Sequence, residues 1–96
     1  MKPTLQKTHE NLVQPQPSDE RPLADFSTDA RVKVRRFGNL PPATLHHLQA
    51  YGVLPGREIR VLAQRPLVII QVEESELALE ESVAREVFAE AVQLPV

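Results

Sequence analysis

The sequence predicts a small, mainly β fold: a partly closed barrel with a short helix after its first strand and an amphipathic helix near its C-terminus. Three observations carry that expectation. Short runs alternate charged and aliphatic residues with the period of a strand, as in Arg31-Val32-Lys33-Val34-Arg35 and Glu58-Ile59-Arg60-Val61. A near-continuous β-branched run follows at Leu67-Val68-Ile69-Ile70-Gln71-Val72. With the proline-rich residues 1–22 set aside, residues 23–92 have only a few curved strands to share, which favours a small barrel over a sandwich.

Residues 1–22 hold Pro3, Pro15, Pro17 and Pro22, and after Met1 only Leu5, Leu12 and Val13 are large aliphatics. So little apolar surface cannot offset about 1–2 kcal/mol per residue of backbone ordering entropy, and a disordered tail is expected. The folded unit is expected over residues 23–92, with 93–96 a short C-terminal tail. Arg31 to Arg35 reads as a half-buried strand with its basic face outward. Asn39 to Tyr51 reads as a short helix, with Asn39 as N-cap, Pro41 and Pro42 where N–H groups are dispensable, and Gly52 closing the end. Leu54-Pro55-Gly56-Arg57 has the composition of a type II turn.

Residues 58–64 alternate again, Pro66 interrupts, and the Leu67–Val72 run suits a strand buried on both faces. A weak homo-oligomer through that run would need it on a sheet edge, and a central place is expected. Glu73-Glu74-Ser75-Glu76 is a polar turn into Leu77-Ala78-Leu79. From Glu80 onward, Val83, Ala84, Val87, Phe88 and Ala91 form one stripe of an amphipathic helix, with Glu81, Glu86 and Glu90 on the wet side.

Several function classes are excluded by composition. Without cysteine there are no disulfides, iron–sulfur clusters or thiol nucleophiles. None of Gly38, Gly52 and Gly56 stands at the spacing of a phosphate loop, and Ser27, Ser75 and Ser82 have no histidine beside them. Neither catalysis nor a cofactor is expected. His46 and His47 are adjacent and diverge by about 100° on a helix, so they cannot share an ion from one turn. They are weak candidate metal ligands and read better as surface residues, while His9 falls in the tail. No apolar run is long enough to span a bilayer and the N-terminus lacks a signal-peptide pattern, so a cytoplasmic protein with no membrane insertion is expected.

Net charge is −2 but unevenly spread, at +4 over residues 23–72 and −6 over residues 73–96. Such a split marks either a basic binding face or two halves that pair with each other. Arg31, Lys33 and Arg35, extended by Arg57, Arg60 and Arg65, could form an RNA-binding face. Base-stacking aromatics are scarce, however, and the pI is 5.9, so no nucleic-acid partner is expected. A protein partner remains. Tyr51, Val53, Leu54 and Pro55 surround one turn, and Arg65, Pro66 and Leu67 form a second loop of the same apolar character.

From Leu23 to about Val92 the chain resembles the FeoA family of ferrous iron transport. The likeness lies in Leu23-Ala-Asp-Phe-Ser-Thr-Asp-Ala-Arg-Val-Lys-Val and in Leu45 to Val61, with Leu48, Gly52, Pro55, Gly56 and Ile59-Arg-Val. It continues in Arg65-Pro-Leu-Val-Ile and in Leu77-Ala-Leu, followed by a helix ending near Phe88. The resemblance implies an SH3-like β-barrel that acts, without catalysis of its own, on an FeoB-like membrane permease with a cytosolic GTP-binding domain. The same fold serves as the C-terminal domain of metal-dependent repressors, so a metal-responsive regulatory module is the alternative it implies. The family often carries an arginine in the helix just before the glycine, where this chain has His47, and a small aliphatic where it has Tyr51.

Overall fold

The alternation at Arg31–Arg35 becomes a strand whose valines, Val32 and Val34, are fully buried while its arginines face solvent. Around it the computed structural model, which describes residues 20–92, arranges β1 (Arg21–Pro22), a 3-10 turn (Leu23–Asp25), β2 (Arg31–Phe37) and α1 (Pro42–Ala50). β3 (Glu58–Ala63), β4 (Val68–Val72), β5 (Ser75–Leu79), α2 (Glu81–Ala84) and β6 (Val87–Ala91) follow. All six strands join one antiparallel sheet in the order β1-β6-β2-β3-β4-β5. Among the described residues the ladder does not close, so the barrel is loose and has two edges, β1 and β5. Register shifts between Val34 and Arg36 and between Val61 and Ala63 bend the sheet around its core.

Every buried side chain among the described residues is apolar. Val32, Val34, Ile59, Val61, Ile70 and Val87 point inward from the strands, and Leu23, Phe26, Leu48, Val53 and Ala84 close the sides. Leu48 is the one buried residue of α1, so a single side chain roots that helix in the core. β4 is central, as expected, between β3 and β5. It buries one face through Val68, Ile70 and Val72, and Ile69 on the other face is half-buried, so the strand is not enclosed on both sides.

The expected C-terminal amphipathic helix is corrected. Only Glu81–Ala84 is helical, and Val87–Ala91 is a strand paired with both β1 and β2. The residues fit both periods, because Val87 and Ala89 are buried while Phe88 and Glu90 are half-buried. What decides is β2, which pairs with β3 on one side and would otherwise leave its other backbone groups bare. β6 satisfies them, and Val87 and Phe88 are residue types that favour a pleated surface. At the other terminus, Arg21 and Pro22, assigned above to the tail, pair with Ala89 and Phe88. The remainder of the expected tail, and residues 93–96, lie outside the described residues.

Candidate functional site

The loop between α1 and β3 is built by its backbone. The Gly52 N–H donates to the Gln49 carbonyl at 3.0 Å and the Val53 N–H to the Leu48 carbonyl at 3.0 Å. With Gly52 at φ 94° this is a Schellman closure, in which the second residue past the helix packs back on its last turn. Val53 is that residue and is fully buried in the same core as Leu48, so of the four residues expected around this turn it offers no outer surface. Leu54–Arg57 then forms the expected turn, with the Arg57 N–H donating to the Leu54 carbonyl at 2.9 Å and Gly56 at φ 91°. The turn is stitched to β2, since Gly56 donates to the Val34 carbonyl at 2.7 Å and Val34 to the Arg57 carbonyl at 2.9 Å. The Arg57 guanidinium pairs with Glu73 in the β4–β5 turn.

On this foundation Tyr51 is 47% exposed and Leu54 38% exposed, with Pro55 exposed between the turn's arms. The His47 ring stands edge-on to Tyr51 with centroids 5.0 Å apart. His46 and His47 are both exposed on α1, and among the described residues no group of three or more His, Asp or Glu could hold a metal ion. Asn39 does not cap α1. The helix starts at Pro42 behind Pro41, and the Asn39 N–H donates instead to the Glu86 carboxylate at 2.8 Å.

Arg65, Pro66 and Leu67 lie elsewhere. Leu67 is 37% exposed, beside a concavity of about 460 Å³ lined by Ala24, Gln64, Arg65, Pro66, Val68 and Glu81. This loop leaves the far end of β3, and a six-residue strand at about 3.4 Å per residue separates it from the Tyr51 turn by roughly 17 Å. The two loops are therefore not one patch. The strand predicted between them carried that separation in the sequence, although neither loop showed it alone.

The uneven charge resolves in part into pairs. Arg35 meets Glu90 at 3.7 Å, Arg57 meets Glu73, and Arg60 meets Asp29 at 3.4 Å. Arg36 reaches Glu20 at 2.9 Å while stacking over the Phe88 ring at 4.2 Å. Two of these pairs, Arg35–Glu90 and Arg57–Glu73, join the basic middle of the chain to its acidic C-terminal part. The basic face of β2 is thus partly neutralised by the strand that lies beside it.

The model of the FeoA domain matches residues 21–91, which is nearly all of the described chain. The chain belongs to the FeoA family. A crystal structure of an iron uptake regulatory protein (FeoA) superposes with a TM-score of 0.66 at 23% identity, covering 76% of this chain and 97% of that one. The solution structure of the FeoA protein from Chlorobium tepidum gives 0.70 at 17% identity, covering 75% and 70%. The IdeR protein of T. acidophilum gives 0.72 at 18% identity over 83% of this chain, but that match takes in only 37% of the other chain. At these identities the structures establish a shared SH3-like fold. No curated protein sequence matches the chain.

Proposed function

We propose that this FeoA-family chain is a non-catalytic accessory protein of ferrous iron uptake. It acts on the cytosolic side by docking onto an FeoB-like GTPase permease. The observation that carries the reading is the location of the exposed large hydrophobics. Among the described residues these are Tyr51, Leu54 and Leu67, all in the two loops that flank β3. Tyr51 and Leu54 form the primary anchor with Pro55, because they share one hydrogen-bonded loop, and Arg65, Pro66 and Leu67 form a second contact on a large partner. Docking changes the permease only to the extent that the chain binds one nucleotide state more tightly than the other. Among the described residues no helix is long and apolar enough to cross a membrane, which agrees with action from the aqueous side.

The test is an NMR titration of the labelled chain with the soluble GTP-binding domain of its permease, with and without nucleotide. Shifts centred on Tyr51 and Leu54 that depend on nucleotide are expected. Binding left unchanged by Leu54→Glu, in a variant that keeps its fold, overturns the proposed surface.

The likeness to a manganese-dependent transcriptional repressor, at a TM-score of 0.71 and 18% identity, favours one second reading, a metal-responsive regulatory module. Calorimetry with Fe²⁺ or Mn²⁺ distinguishes it. A stoichiometric site lost in His46→Ala or His47→Ala would support the module, and no heat of binding would dismiss it.

A further inference from the structure

The two edges of the sheet are unlike. β1 is two residues long and contains Pro22, which has no N–H to offer, so that edge is blunted. β5 runs for five residues without proline, lysine or a bulge, in unbroken register with β4 from Val72↔Ser75 to Val68↔Leu79. Among the described residues it pairs with no other strand. A two-residue hairpin loop is closed by a hydrogen-bonded pair, here Val72 and Ser75, and such pairs alternate along an antiparallel ladder. Ser75, Leu77 and Leu79 therefore bond to β4, whereas Glu76 and Ala78 direct their N–H and C=O groups away from the sheet.

The side chains around this edge define what can cover it. Leu77 and Leu79 face the core, and Glu76 and Ala78 face solvent, with exposed Glu74 in the turn before the strand and exposed Glu80 at the N-cap of α2 after it. Glu74, Glu76 and Glu80 are exposed and enter no ion pair among the described residues. On β4, Gln71 stands beside Glu76 and half-buried Ile69 beside Ala78, which makes a small apolar step between carboxylates. A second copy does not fit. Antiparallel self-pairing centred on residue 76, 77 or 78 sets Glu76 against Glu76, Glu74 against Glu80, or Glu76 against Glu80, and like charges directly opposite destabilise a pair.

From this geometry we propose that β5 is a strand-addition site for an extended, basic segment of a partner protein. The segment carries a cationic side chain opposite Glu80, an aliphatic one opposite Ala78 and a second cationic one opposite Glu76. Its backbone bonds to the outward groups of Glu76 and Ala78 supply affinity, and the alternating side chains supply selection. The proposal does not depend on the permease reading.

The probe is a blocked peptide with the core Arg-Thr-Val-Thr-Arg, titrated into the full labelled chain. Expected are shifts and slowed amide exchange centred on Glu76 and Ala78. N-methylation of the peptide at valine and the second arginine removes the two N–H groups that donate to the Ala78 and Glu76 carbonyls, sets methyl groups against the strand edge, and should weaken binding by about tenfold or more. Glu76→Lys should do the same. So should Ala78→Pro, whose lost N–H faces solvent and takes no part in the β4–β5 ladder. Because Glu76 is exposed, Glu76→Lys keeps the test decisive even if Ala78→Pro unfolds. Absence of binding, shifts centred elsewhere, or equal affinity for the N-methylated peptide would each overturn the proposal, the last by showing adsorption through charge alone.

Discussion

At the leading end of β3, the Tyr51–Arg57 loop is tied to α1 through Gly52 and Val53, to β2 through Gly56 and Arg57, and to the β4–β5 turn through Glu73. At the trailing end, Gln64–Leu67 makes no backbone hydrogen bond outside the strand ladders among the described residues. Both ends expose a leucine to nearly the same degree, 38% for Leu54 and 37% for Leu67. The difference lies beneath them. A side chain on a pinned loop loses little freedom when a partner covers it, and one on a loosely tied loop must be ordered at the moment of binding. Exposure alone therefore ranks the two leucines equally, and the support behind them does not.

The largest effect should come from removing the root of the pinned end. Leu48→Ala empties a fully buried position and should cost about 2–5 kcal/mol in denaturant unfolding. Because the Schellman closure rests on that turn, partner binding should weaken as well. Next is Leu54→Glu, expected to leave the unfolding midpoint nearly unchanged and to reduce affinity for the GTP-binding domain by about tenfold or more. Gly52→Ala comes third, at about 1–2 kcal/mol, since an L residue is strained at φ 94° and the new Cβ would lie 3.4 Å from a Val72 methyl. Smallest is Leu67→Ser, at less than about 1 kcal/mol of stability, with a loss of affinity well below that of Leu54→Glu. If Leu67→Ser proved the more damaging to binding, the order of the two ends would be reversed.

What was legible in the sequence follows how local each signal is. The β2 alternation, the Pro-Gly turn and the glycine closing α1 are set by neighbours within a few residues, and they stand where the pattern placed them. The 87–91 segment was not legible, because its aliphatic residues satisfy the helical and the strand period alike and the choice is made by the vacant side of β2. Val53 was misplaced for a related reason. Its role depends on packing against Leu48, which appears only once the helix has closed. The hydrogen bond from the Asn39 N–H to Glu86, 47 residues away, has no local signal at all.

One consequence of the core reaches beyond this molecule. All sixteen buried side chains among the described residues are aliphatic, aromatic or alanine, and none needs a particular hydrogen-bond partner. A volume-conserving exchange among such residues costs less than about 1.5 kcal/mol, so the interior restricts bulk and leaves identity free. Sequences can differ widely and still fill this frame, as the 17–23% identities to structures of the same fold illustrate. The frame demands a shape, and the rim stays free to vary.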